Sequence, residues 1–285
     1  INSFSNNGIT IKTIKSFKNS GAIARNMGVK IAEGDLIAFL DSDVILYPNY
    51  YSNLLKIFDN NLDIVAAQGT DQILVESEKV RLARPFYKNL FHNFEQLFET
   101  STLLNTKRPF VSPSMAISHP DVTKDFYMET EWISTCAGVF RRNVFDKYSF
   151  PKEFVTYSNN EYLFLSYSLF LRNEGIMIYT SEAKYKNIQT EEGRISKLPL
   201  IYQIEVNDLF IFILLFPKNA KNILIFIKSR IGHLIYNLLH AVKNKNFSPI
   251  YFLKLLWAPI YPFINILRIL KKDLTFYEKD FVYKE

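Results

Sequence analysis

Cysteine is nearly absent: Cys136 stands alone in a chain of 285 residues. No internal disulfide can form, so a secreted disulfide scaffold is excluded and a reducing compartment is the expectation. Histidine is almost as scarce. His92, His119, His233 and His240 are the four present, and their spacings match no metal-ligand pattern, so none is assigned a role. The opening stretch "INSFSNNGIT" has neither a basic segment nor an apolar core and is no signal peptide. It begins with Ile1 rather than Met and reads as a chain cut into an existing domain. Internal repeats and low-complexity linkers are missing. Acidic residues disappear altogether between Asp208 and Asp273, where lysines and arginines continue from Lys218 to Lys272.

What is present suits one large globular domain, or a domain with an appendage: 48% of residues are hydrophobic and 22% charged. The net charge of +6 suits nucleic acid, an anionic membrane surface or anionic small molecules as partners.

The first third alternates helix and strand patterns. Asn19 or Ser20 is placed to cap a helix whose Ala24, Met27, Gly28, Ile31 and Ala32 share one face. "LIAFLD" then reads as a short buried strand, a helix follows with Tyr51, Leu54, Leu55 and Phe58 on one side, and "DIVAAQG" is a second strand. Strands spaced by helices imply a parallel sheet flanked by helices, with ligands beyond the strands' carboxyl ends. "RPFYKNLFHNFEQLF" has helical spacing, "NTKRPFVSPSMAISHPD" reads as a long binding or lid loop, and "TEWISTCAGVFRR" returns to strand character. "NNEYLFLSYSLFLRNEG" is expected to be a helix stopped at Gly175, before the strand "IMIYT".

The chemistry gathers at "IAFLDSDVIL". Leu36 to Leu40 are apolar, then Asp41 and Asp43 stand one residue apart, and the chain turns apolar again. A buried, unpartnered carboxylate is costly, so a metal ion or a set of hydrogen-bond donors is implied there. The spacing lets two carboxylates on one loop reach a single oxygen-seeking divalent cation and its diphosphate ligand.

"GAIARNMGVKIAEGDLIAFLDSD" resembles the family 2 glycosyltransferases, inverting enzymes of GT-A fold. That resemblance implies an α/β fold with a mostly parallel sheet and flanking helices over residues 1–205. It also implies a nucleoside-diphosphate sugar donor and Mn2+ or Mg2+ as cofactor. Asp43 would hold the metal, Asp41 would contact the ribose or the metal, and Arg25 and Asn26 would help place the donor. Downstream, "TEWISTCAGVFRRNVFDKYSFPKEF" is similar to the family's acceptor-side segment, which implicates Trp132, Gly138, Arg141 and Arg142. The family's Glu-Asp pair is here Glu161 and Tyr162, so Glu161 takes the general-base position. Its other reading is a first-turn acid stabilised by the helix dipole. In "AKYKNIQTEEGR" the family's histidine, sometimes a metal ligand, is Asn187, and its arginine is Arg194. An amide oxygen still suits Mg2+ or Mn2+. The family's first strand and its base-contacting residues are not found, which implies a truncated start or a nucleoside pocket supplied by another segment.

Residues 206–285 form the basic, apolar part. Lys254, Pro259 and Pro262 interrupt its longest run, which argues against a membrane span. A bundle packed on the first domain is one reading. Amphipathic helices on an anionic membrane surface are the other, with Leu224, Ile227, Ile231, Leu234 and Leu238 on one face. No recognition motif accompanies the charge, so nucleic acid is not an expected partner. Two functions remain: a peripheral, metal-dependent inverting transferase on the cytoplasmic face of the membrane, using a glycan or lipid-linked acceptor, or a non-catalytic relative that binds glycan or membrane. A nucleotidyltransferase fits the helix and acceptor segments less well.

Overall fold

A computed structural model describes residues 10–83, 90–156, 159–188, 196–245 and 248–277. In chain order the elements are α1 (Gly21–Ile31), β1 (Leu36–Ala38), β2 (Val44–Leu46), α2 (Tyr50–Asn60), β3 (Ile64–Asp71), α3 (Gln72–Leu82), α4 (Leu90–Phe98), β4 (Tyr127–Glu129) and β5 (Val139–Arg141). They continue with α5 (Val144–Lys147), α6 (Glu161–Leu171), β6 (Ile176–Asn187), α7 (Lys197–Leu215), α8 (Ala220–Lys243), α9 (Pro249–Trp257), α10 (Tyr261–Ile264) and α11 (Ile266–Leu270).

The strands form one sheet in the order β1-β5-β3-β6-β2, with β4 also paired to β6. Alternate residues of β5 and β6 feed two apolar clusters: Val139 and Ile178 join one, Phe140, Met177 and Tyr179 the other. Side chains that alternate along a strand point to opposite faces, so the sheet is covered on both. Helix α2 supplies Leu54, Ile57 and Phe58 to the first cluster. Helices α6 and α7 supply Leu163, Leu165, Val206 and Phe210 to the second. The arrangement is α/β with flanking helices, but the sheet is mixed where a mostly parallel one was expected. Among the described strands β3 and β6 are the parallel pair, whereas β5 runs antiparallel to both β1 and β3, and β2 and β4 run antiparallel to β6. A parallel neighbour needs a crossover, usually helical. β5 instead enters from the irregular segment 130–138, so nothing constrains it to run parallel.

Three local expectations shift. Strand character in "TEWISTCAGVFRR" is confined to Val139–Arg141. On α2 the buried side is Tyr50, Leu54, Ile57 and Phe58, and Leu55 is exposed. The cause is Tyr50, whose hydroxyl donates to the Ala137 carbonyl at 2.7 Å and accepts from the Gly69 amide at 3.1 Å. The serine-rich loop is no open lid: Ser112, Ser114, Ser118 and His119 are buried, and Trp132 Nε1 donates to the Ser118 carbonyl.

The expected division at 205/206 falls inside α7. By length and composition α7 could cross a membrane, yet 61% of its most apolar window is buried in the fold. It also carries two buried carboxylates, Glu205 and Asp208. Arg230 of α8 meets both, at 3.5 Å and 2.7 Å, and donates to the Ser114 carbonyl at 3.0 Å. A fully buried charge needs such partners, and removing one side of the set typically costs about 3–5 kcal/mol. Helix α8 is thereby fastened to the sheet domain. Gly232 on the same helix lets it approach α4, since a Cβ there would lie 2.4 Å from Phe98.

Gly69 sits where β3, β6 and α2 converge. A Cβ would come within 2.1 Å of the Ala183 carbonyl oxygen and 2.6 Å of the Tyr50 ring. Neither backbone nor buried ring can retreat cheaply, so Gly69→Ala is expected to destabilise the fold by about 3 kcal/mol. A lowered denaturant midpoint at unchanged m-value checks it; an unchanged midpoint refutes the close packing.

Candidate functional site

The Asp41–Asp43 loop lies at the carboxyl end of β1. Beyond Ala38 the chain still follows the segment before β5: the Phe39 amide donates to the Gly138 carbonyl at 2.9 Å and the Asp41 amide to the Cys136 carbonyl at 3.0 Å. The chain then turns, with the Val44 amide on the Asp41 carbonyl, and returns as β2. Because β2 pairs with the end of β6, Val44 lies opposite Asn187 and the Ile188 amide donates to the Asp43 carbonyl at 2.9 Å. Asp41, Asp43 and Asn187 are thus brought to one edge of the sheet.

Arg25, in the second turn of α1, joins this edge to α6. Its Nη2 donates to Asp41 Oδ1 at 2.9 Å and its Nη1 to Glu161 Oε1 at 2.5 Å. Local sequence sets up both helices. Ser20 caps α1 by accepting from the Ile23 amide at 3.2 Å, and its hydroxyl donates to the Phe154 carbonyl at 2.5 Å. Thr156 donates its amide to the Asn19 carbonyl at 2.7 Å, and Gln203 of α7 holds both the Val155 carbonyl and the Thr156 hydroxyl. Thr156 has φ 57°, a left-handed conformation that a β-branched residue adopts only under constraint. Asn160, at φ 67°, precedes Glu161 and donates its side-chain amide to Asp208 at 2.7 Å.

Glu161 is buried in the first turn of α6. Burial raises its pKa from an ordinary 4.5 to about 7; the Arg25 charge pulls the other way and only partly offsets it. A carboxyl that titrates near neutrality and is fixed by a guanidinium is suited to taking and releasing a proton. Tyr162 beside it is no substitute, since burial pushes its phenol above its ordinary value of 10.

As metal donors the loop offers two carboxylates and the nearby Asn187. Arg25 occupies Asp41 Oδ1; no hydrogen bond or ion pair among the described residues engages the Asp43 carboxylate. No group of three or more His, Cys, Asp or Glu that could hold a metal occurs among the described residues. Two carboxylates and an amide oxygen suit a hard cation that takes its remaining ligands from phosphate and water. By donor chemistry Asp41 and Asp43 suit such a cation, whereas for Asn187 only the backbone is placed beside them.

Other expected site residues lie elsewhere. Asn26 uses both ends of its amide on Phe150, donating to its carbonyl at 2.8 Å and accepting from its amide at 2.9 Å. It clamps α1 and is not open to a donor. Trp132 is buried against His119 and Tyr179. Gly138 is a packing position, since a Cβ would lie 2.3 Å from the Ser134 carbonyl. Arg141 donates to the carbonyls of Ile64, Phe58 and Asn61, closing the end of α2, and lies over the Phe58 ring. Arg142, exposed, lies beside Asp35 at the opposite end of β1 from Asp41. These four are structural or distant from the carboxylate edge, because the acceptor-side segment supplies β5 rather than a cleft wall. Arg194 lies outside the described residues.

Two further residues stand at this site that the sequence did not place there. Asp71 ends β3, caps α3 and accepts from the Asn187 amide at 3.3 Å, and burial raises its pKa. Cys136 donates to the Tyr185 hydroxyl at 3.4 Å directly behind Asp41. Asp71 had a readable signal, a carboxylate at the carboxyl end of an apolar strand as at Asp41; Cys136 had none.

Residues 1–126 match the family model Glycosyl transferase family 2, a stretch that runs from before α1 through the Asp41–Asp43 loop to β3 and beyond. The fold is GT-A-like, and the resemblance to family 2 glycosyltransferases read from the sequence holds. Among 17 matching chains of solved structures is the crystal structure of GalNAc-T7 with UDP, GalNAc and Mn2+. It aligns at a TM-score of 0.42 and 13% identity over 66% of this chain and 35% of that one, so this chain spans about a third of its length. No curated protein matches the chain.

Arg25→Gln removes the positive charge that favours ionised Glu161. The Glu161 titration midpoint, followed by its carboxyl carbon resonance, is expected to move above about 7. A midpoint that stays put would show that the two groups are not coupled. Folding stability should carry the same group's signature. A raised folded pKa stabilises fully below 4.5, and that contribution is lost as pH rises through about 7.

Proposed function

We propose that this chain transfers a sugar from a nucleoside diphosphate to a hydroxyl of a glycan or lipid-linked acceptor, with inversion at the anomeric carbon. The observation that carries the reading is the single guanidinium of Arg25 joined to both Asp41 and Glu161. It fixes Glu161 relative to the Asp41–Asp43 loop, which supports reading the first as proton acceptor and the second as the diphosphate site.

The acceptor hydroxyl gives its proton to a Glu161 carboxylate oxygen as its own oxygen bonds to the anomeric carbon. The bond from that carbon to the diphosphate oxygen breaks, and the diphosphate leaves with the electron pair. One displacement from the face opposite the leaving group inverts the centre. Arg25 favours the ionised form of Glu161 and holds its carboxylate in place, while Asp41 and Asp43, with Asn187, would hold the divalent cation. That cation, when bound, neutralises charge developing on the diphosphate. The neighbouring Tyr162 and the apolar first turn of α6 keep water from Glu161, which raises its affinity for the proton.

Glu161→Gln keeps the shape and removes the base. Donor binding should persist while turnover with acceptor falls about 10²–10⁴-fold. In the wild type kcat/KM should rise with pH through about 7, the value at which Glu161 loses its proton. Wild-type rates in the variant would remove Glu161 from the mechanism, and donor binding without turnover in either protein would favour a non-catalytic glycan-binding role.

Asp43→Ala tests the other half. Calorimetry should show nucleoside diphosphate affinity that requires Mn2+ or Mg2+ and is lost in the variant, with an unchanged melting temperature because Asp43 is only half-buried. Equal affinity with and without a chelator would overturn the metal role.

A further inference from the structure

Helix α8 is inside out by the usual rule. Its buried positions include Ser229, Arg230 and Gly232, while Leu224, Ile227, Ile231 and Val242 are exposed, Leu224 by 66%. Of the face expected from the sequence, only Leu234 and Leu238 are half-buried. Further along, Ile250, Leu253, Trp257, Ile260, Ile264 and Leu267 recur every three or four residues through α9, α10 and α11, and all are exposed, Ile250 by 65% and Leu267 by 71%. Helix α9 packs against α8, so the two stripes belong to one part of the molecule. Scattered apolar side chains on a surface are ordinary; a continuous band of large ones marks a surface that meets another apolar phase.

Charge identifies that phase. No acidic residue occurs between Asp208 and Asp273. Arg230 is buried with Glu205 and Asp208, Lys228 lies 3.5 Å from Glu99, and Arg268 pairs with Asp273. The remaining Lys218, Lys221, Lys243, Lys245, Lys254, Lys271 and Lys272 are exposed and have no ion pair among the described residues. They flank the band: Lys221 precedes Leu224, Lys254 follows Leu253, and Lys271 follows Leu270. Two copies of such a surface would bring lysine against lysine with no acid to answer it. A bilayer with anionic headgroups answers both features, taking apolar side chains into the acyl boundary and placing headgroup charge beside the lysines. Trp257, apolar in its ring and polar at its N–H, suits that boundary.

We propose that α9–α11, together with the outward side of α8, dock on an anionic lipid surface. The assignment rests on this surface alone and is independent of the proposed sugar transfer.

The whole protein is tested by sedimentation with vesicles of phosphatidylcholine alone or mixed with phosphatidylglycerol. It should partition to the anionic vesicles, with binding weakening as salt rises, because the lysine contribution is screened. Lys254→Gln, Lys271→Gln and Lys272→Gln combined should weaken partitioning by roughly fivefold per lysine. Leu253→Ser with Leu267→Ser should reduce it even at low salt. Both sites are exposed, so an unchanged melting temperature should accompany the loss. Absence of binding to anionic vesicles at low salt overturns the proposal. So does equal, salt-independent binding to both vesicle types, or a concentration-dependent dimer abolished by Leu253→Ser and Leu267→Ser in a protein that ignores vesicles.

Discussion

A single guanidinium ties two distant parts of the chain together. Arg25 on α1 reaches Asp41 at the end of β1 and Glu161 at the start of α6. The two carboxylates come from opposite ends of the sheet domain's sequence, and nothing short-range would bring them together. With Arg25 between them, each has a partner, and the buried Glu161 is not an isolated charge. Burial still wins at Glu161, whose affinity for a proton stays raised to about 7. A fully compensating ion pair would return the carboxyl to its ordinary range, and no pair at all would raise its proton affinity further. The arrangement lies between these limits.

That position is held from behind by a second arginine. Asn160, immediately before Glu161, is bonded to Asp208, and Asp208 to Arg230. The basic, apolar part of the chain therefore reaches the carboxylate site through two polar contacts, and α7 passes through the core without a break. A domain division at 205/206 is chemically unnatural for that reason. The change in composition there is real, but it does not mark where the core ends.

Much of the site edge was legible because it is local. An apolar run, two acids and a second apolar run name a strand end and a loop within ten residues, and Ser20 announces the start of α1. Glu161 was legible from its place at the head of an apolar helix. Asn26, Trp132, Arg141 and Arg142 misled because a polar side chain's role depends on partners distant in sequence. Asn26 finds Phe150, and Arg141 finds the carbonyls ending α2. Nor does any residue pattern state that β5 will enter between β1 and β3 in the opposite direction; that is fixed by the path of an irregular segment.

Helix α8 shows the same limit in another form. Hydrophobic periodicity finds the apolar face of a helix but is silent on which medium that face meets. In most helices of a water-soluble fold the answer is the core. Here Arg230 and Ile231, adjacent in the chain, have exchanged the usual places: the arginine is buried among Glu205, Asp208 and Ser114, and the isoleucine is exposed. Burying the guanidinium is tolerated because its partners are already fixed in α7. Gly232 beside it allows the close approach to α4 that shuts water out. Once the inward face is settled by an ion network and a glycine, the outward face is free to be apolar without cost to the packing beneath it.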